Sequence, residues 1–179
     1  PVVYAPTTGS ADFNLLHPVE NVSWRDGQRI LSWIGLRYPT EAQWEYAARG
    51  GTQTPWYASD EPTCLEGEAN LFDLDALDAY WIDMSGLEAL PWRDGWMVHG
   101  PVDLYGPNPF GLFNVRGNVA EWIYDRPAYY GTPLAQGDGR QILVLFEGYP
   151  GHRGGSFLST PTQARVSHRA DRDERLSCH

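Results

Sequence analysis

An α+β domain is predicted from three features of the sequence. Two short segments early in the chain carry helical apolar spacing, a long Gly-, Pro-, Asn- and Trp-rich stretch without periodicity follows, and short apolar runs of strand length come last. In "VSWRDGQRILSWIG", Ser23 stands three residues before Asp26 in the manner of a capping box, and Gly27, Ile30, Leu31 and Ile34 recur at helical spacing before Gly35. This predicts an amphipathic helix over 24–34. The second helix is better marked. Thr40 and Gln43 form a T-x-x-Q box, Trp44, Ala47 and Ala48 make the apolar face, and Gly50-Gly51 end it, which sets the helix at 41–49. From 52 to 140 no amphipathic segment persists. Strands are expected at "EWIYD" (121–125), "QILVLFEG" (141–148) and, from weak alternation, "ARVSHR" (164–169).

With 179 residues and 42% hydrophobic content the chain can bury one sizeable core, so residues 1–179 read as a single domain. The first residue is Pro and "PVVYAPTTG" is no signal peptide, which suggests the C-terminal domain of a longer chain whose cellular address is not readable here. No apolar run approaches the ~18 residues of a membrane span; the longest is "ILVLF" (142–146). A net charge of −10 argues against nonspecific nucleic-acid binding, which needs a basic surface to displace counterions from phosphate. All 13 basic residues are Arg. Cys64 and Cys178 are too few for a disulfide scaffold or a Cys-rich zinc site. The five histidines show neither H-x-x-x-H nor H-E-x-x-H spacing, and Ser156 in "GGSF" lacks the second glycine of a hydrolase elbow. A loop-rich body of this length needs something besides apolar packing to hold it, and a bound metal is the natural candidate.

At "HPVENVSW", "GLRYPTEAQWEYAARGG", "NPFGLFNVRGNVAEW" and "RGGSF" the sequence closely resembles the formylglycine-generating enzyme (sulfatase-modifying factor) family, a variant of the C-type lectin fold. The resemblance runs over roughly residues 17 to 170. It implies two structural Ca2+ sites. One would use the Asn70 side chain, the Leu71 carbonyl, Asp94 and the Trp96 carbonyl; the other the Asn114 side chain, the Gly117 and Val119 carbonyls and the Glu121 carboxylate. Taken alone, Asn114 and Asp94 read as turn residues and Glu121 as a surface charge. Calcium's preference for carboxylate, amide and backbone oxygens agrees with the implied sets. Trp44 and Trp122 sit in the motifs as core residues, and Trp92 and Trp96 are expected in the core as well.

Enzymes of the family oxidise a substrate cysteine with a copper-holding cysteine pair in the loop after the GGS motif. Here that loop reads "FLSTPTQARVSHR", Ser159 falls at the first cysteine and the second has no counterpart. Soft thiolates suit Cu(I) and oxygen ligands replace them poorly, so neither copper nor enzymatic activity is expected. The loop is also similar to the diversified segment of the variable proteins of diversity-generating retroelements, in which Asn codons are rewritten at their first two letters. Phe157, Leu158, Ser159, Thr160, Thr162, His168, Ala170, Asp171, Asp173, Leu176, Ser177, Cys178 and His179 are all permitted products, whereas Gln163 and Glu174 must be fixed. This resemblance implies a display protein that binds a protein or other macromolecule through its C-terminal face. A fixed-partner accessory domain is the alternative, a copper oxidase the third reading, and an ordinary solvated loop the plain one.

Overall fold

Both expected helices form where their caps place them in the computed structural model, which describes residues 15–57, 59–79, 87–126, 128–142 and 149–171. Helix α1 spans Trp24–Trp33, with the Ser23 hydroxyl accepting the Asp26 N–H and donating to the Asp26 carboxylate. Helix α2 spans Glu41–Arg49 under a complete capping box: Thr40 Oγ1 accepts the Gln43 N–H while Gln43 Oε1 accepts the Thr40 N–H. Left-handed Gly50 ends it. A 3-10 turn over Pro62–Leu65 and a one-and-a-half-turn helix α3 over Leu74–Ala79 follow. Strands β1 (Glu121–Trp122), β2 (Gly151–Arg153) and β3 (Ala170–Asp171) form an antiparallel sheet in the order β1-β2-β3, with Glu121 opposite Arg153 and Gly151 opposite Asp171.

Long loops wrap two adjoining apolar clusters. Trp44, Ala48, Val115, Ile123 and Val166 form one; Trp56, Leu65, Ala69, Leu71 and Ala164 form the other, with Trp92 packed against its edge. The expectation of Trp92 near the core therefore holds, and Trp96 is half-buried against Gly100 and the His17 ring. The sheet is tied to α2 by ionic contacts as well as by packing. Arg153, whose side chain is fully buried, pairs with Glu45, donates to the His168 carbonyl and lies 5.2 Å over the Trp44 ring. Arg169 pairs with Glu41 at 2.6 Å. Removing one partner of such a pair would strand a charge in the interior, at a typical cost of about 3–5 kcal/mol.

All three strand expectations are revised, the one at 121–125 to Glu121–Trp122 alone. Residues 164–167 are turns and bends and 168–169 are irregular: Ala164 and Val166 alternate because both drop into the core from an irregular loop, and the strand begins only at Ala170. Of 141–148, Gln141 makes an isolated bridge to Leu134, and 143–148 lie outside the described residues. Among the described residues no helix is long and apolar enough to cross a membrane.

Candidate functional site

The segments "EAN", "RDGWMVHG" and "NVRGNVAEW" converge on one nest of irregular backbone. Asn70 and Gly117 pair as a parallel bridge, with the Asn118 N–H donating to the Asn70 carbonyl at 2.8 Å. Gly117 has φ +69°, and a Cβ there would sit 2.0 Å from the Asn70 carbonyl oxygen, so no larger residue fits. Asn118, also left-handed at φ +62°, clamps Gly100 by accepting its N–H at 2.8 Å and donating to its carbonyl at 3.1 Å. Asn70 Nδ2 donates to the Val98 carbonyl at 2.9 Å and to Asn118 Oδ1 at 3.3 Å.

These bonds leave particular oxygens unsatisfied. Asn70 Oδ1 and Asn114 Oδ1 are buried and accept no hydrogen bond, although Asn114 Nδ2 donates to the Pro101 carbonyl at 3.0 Å. Nor do the carbonyls of Leu71, Trp96, Gly117 and Val119 accept one from the described residues. The carboxylate in each implied set is pushed toward its neutral form. Burial raises Asp94 to about 7 against the Trp96 N–H that it accepts at 2.8 Å, and the Asp73 carboxylate pushes it further up. Burial likewise raises Glu121, opposed by the Trp44 indole N–H that donates to it at 2.7 Å. Unpaired amide and backbone oxygens and carboxylates that lack a counter-charge are the donor types a hard divalent cation takes.

Asp94 also meets Asp73 and Asp75, which the sequence analysis missed. Ligand atoms of the three carboxylates lie within 4.8 Å of one another, so this cluster can hold a metal ion. Asp73 caps α3, accepting the Asp75 and Ala76 N–H groups, and also accepts the Asp94 N–H at 2.8 Å. Asp75 pairs with Arg93 at 2.6 Å. Their approach to Asp94 depends on a fold that joins residues about twenty positions apart; the D-x-D spacing of "FDLDAL" is the one signal the sequence carried.

The loop after Gly154-Gly155 is held from within. The Ser156 N–H donates to Ser159 Oγ at 2.9 Å, the Ser159 N–H to the Ser156 carbonyl at 2.8 Å, and the Phe72 N–H to the Ser159 carbonyl at 3.1 Å. Phe157 is the exception to the expected surface. It is 0% exposed and its N–H is bonded to the Asn118 carbonyl, so it is a core anchor and not a surface side chain. Leu158, Ser159 and Thr160 are half-buried and Thr162 is exposed. His168 is half-buried, its pKa lowered by burial and by Arg153. Ala170 and Asp171 form β3, and Asp173, Leu176, Ser177, Cys178 and His179 lie outside the described residues.

Comparison with known proteins bears on both regions. A family model for the sulfatase-modifying factor enzyme 1-like domain matches residues 6–177. The formylglycine-generating enzyme of Streptomyces coelicolor is 37% identical over 149 residues, covering 79% of this chain and 42% of that protein. The formylglycine-generating enzyme of Mus musculus is 39% identical over 114 residues, 61% of this chain and 27% of that protein. The chain thus spans less than half the length of these curated relatives. A solved structure described as Treponema denticola variable protein 1 superposes with a TM-score of 0.69 at 20% identity, covering 98% of this chain and 73% of that one, and shares the α+β, C-type-lectin-type fold. The expectation that the chain is no enzyme is corrected: it rested on two cysteine positions in one loop, whereas the similarity to proteins named as enzymes runs through the body of the chain. With the family model covering nearly its whole length, the chain belongs to the sulfatase-modifying factor enzyme 1-like domain family.

Proposed function

We propose that this chain presents a ligand-binding face on the loop after Gly154-Gly155-Ser156, in the manner of the variable proteins of diversity-generating retroelements, on a scaffold completed by two calcium ions. One observation carries the binding reading. Within 156–167 the backbone is fixed by buried Phe157, Ala164 and Val166, while Leu158, Ser159, Thr160 and Thr162 stand partly or wholly outside. Side chains on such a loop can change without disturbing the core. Hydroxyls beside an apolar leucine suit contact with a protein or another macromolecule, the mixture found in paratopes.

The calcium reading is supported by the matched composition of the two ligand sets: one orphaned amide oxygen, two carbonyls without a donor and one carboxylate raised by burial in each. A bound Ca2+ would supply the missing positive charge, with Asn70, Leu71, Asp94 and Trp96 holding one ion and Asn114, Gly117, Val119 and Glu121 the other.

Sequencing the codons for residues 156–179 across a population tests the display reading. Substitutions should concentrate at codons for exposed loop positions and spare Phe157, Ala164 and Val166, with an adenine-bearing near-copy and a reverse transcriptase nearby. Invariance of those codons would overturn it. A second reading, oxidation of a cysteine in a sulfatase peptide, is favoured by the 37% identity to an enzyme of that name. Its test is incubation with copper and such a peptide, and an aldehyde product detected by mass spectrometry would place it first.

A further inference from the structure

Two imidazoles from distant parts of the chain meet nitrogen to nitrogen beside the nest. His17 Nδ1 stands 3.1 Å from His99 Nδ1, with the ring planes 69° apart. On the other side of the His99 ring, Nε2 lies 3.7 Å from Glu20 Oε1. The two histidines are 82 positions apart, so the pair exists only in the folded chain.

Both rings are held in place by independent contacts. The Val98 carbonyl accepts the Asn70 amide, and Asn118 clamps Gly100 through both of its backbone groups, which fixes the chain on either side of His99. The His99 ring stands edge-on to buried Phe157 at 6.5 Å, and the His17 ring edge-on to Trp96 at 6.0 Å.

A neutral imidazole carries one N–H and one lone pair. Burial lowers the pKa of His99 to about 4, so near pH 7 the ring is neutral. The Glu20 carboxylate favours the proton on Nε2, which leaves the Nδ1 lone pair directed at His17. An N–H of His17 can fill that lone pair with a hydrogen bond. In the other His17 tautomer two lone pairs face each other, and a cation between them makes that arrangement favourable. An ion at the usual Zn–N distance of about 2.0–2.1 Å from both nitrogens would subtend an angle of about 100°, close to tetrahedral. A carboxylate on the outer nitrogen of a metal-bound histidine fixes the tautomer and raises the ligand's basicity, which is the position Glu20 holds. No third His, Cys, Asp or Glu joins the pair among the described residues, so water would complete the coordination. His17 is half-buried and Leu15 and Leu16 beside it are exposed, so an ion reaches the pair from the His17 side. Imidazole nitrogens suit Zn2+, whereas Ca2+ takes oxygens.

We propose that His17 and His99 bind one Zn2+ through their Nδ1 atoms, with Glu20 orienting His99. The site uses none of the oxygens assigned to calcium and stands whether or not those sets hold an ion.

The probe is Zn2+ itself, titrated calorimetrically into the chain in excess Ca2+, which competes for oxygen ligands. One ion per chain should bind with a Kd in the micromolar range. His17→Ala and His99→Asn should each weaken binding at least about tenfold, and Glu20→Gln about tenfold, the usual effect of removing such an outer partner. His152→Asn, whose ring packs on Trp122, should leave it unaltered. Co2+ in place of Zn2+ should give the intense visible absorption of a four-coordinate, nitrogen-bound ion, a reading on the unaltered chain that holds even if a histidine variant fails to fold. No zinc uptake, binding indifferent to both histidine variants, or the pale spectrum of six-coordinate Co2+ would each overturn the proposal and leave the pair a hydrogen bond only.

Discussion

The nest around Asn70 and Asn114 and the loop after Gly155 are both irregular backbone, yet they meet their hydrogen-bonding needs in opposite ways. The loop closes on itself: Ser156 and Ser159 bond each other, the Thr160 carbonyl accepts the Ala164 N–H, Ala164 and Val166 anchor it in the two apolar clusters, and Phe157 is fully buried. The nest exhausts its donors and still leaves two amide oxygens bare and two carboxylates without counter-charges. Irregular backbone can thus be made rigid by side-chain anchors or by an external ion, and only the second kind can be taken apart from outside.

Chelation should produce the largest effect. If calcium stands about a thousandfold above its dissociation constant, binding stabilises the fold by about 4 kcal/mol. At roughly 2–4 °C per kcal/mol for a chain of this size, excess EGTA should lower Tm by about 8–16 °C, and calcium should restore it. A melting curve indifferent to EGTA, with no calcium by elemental analysis, would mean that the bare oxygens are not metal ligands and would remove the contrast between the two regions.

Phe157→Ala attacks the other region. A buried phenylalanine truncated to alanine costs about 3–5 kcal/mol. Chemical denaturation with calcium saturating should show that loss, and the loss should be the same in EGTA, because Phe157 acts through packing. A cost below about 1 kcal/mol would mean that the loop is held by something other than its buried anchors.

A pH titration sharpens the picture of the nest. His99 is 3% exposed and sits between Val98 and Gly100, whose backbone groups bond Asn70 and Asn118. Burial, with the nearby His17 adding to it, lowers its pKa to about 4. In the unfolded chain it titrates near the ordinary 6.5, so between these values the unfolded state takes up the proton and the fold does not. Stability present above pH 6.5 is therefore lost as pH falls toward 4, by about 3 kcal/mol for this group. His99→Asn should flatten that part of the profile in denaturation curves taken at several pH values; an unaltered slope would assign the acid sensitivity to carboxylates alone.

Legibility followed the physics of each feature. Thr40, Gln43 and Gly50 announce α2 because caps are local. Strand β2 has three residues, one of them glycine, and α3 has six behind an aspartate cap, both too short for a period to register. At 164–169 the alternation was real but its cause was mistaken, since a turn can drop alternate residues into a core as a strand does. In the nest, Asn114 and Glu121 fall within one continuous motif, so a shared role for them can be proposed from the sequence. Asp73 and Asp75 could not, because their link to Asp94 exists only after the chain has folded back on itself.

The smallest effects test the loop position by position. Ser159 Oγ accepts the Ser156 N–H, so Ser159→Ala should cost about 1 kcal/mol, the usual net worth of one hydrogen bond. Thr162 is exposed, and Thr162→Ala should change stability by no more than about 0.5 kcal/mol. That gradient, from Phe157 through Ser159 to Thr162, is what a rigid loop with a replaceable outer face requires. Equal losses at Ser159 and Thr162 would mean that the outer face is packed against something, and a packed face has no freedom to vary its ligand.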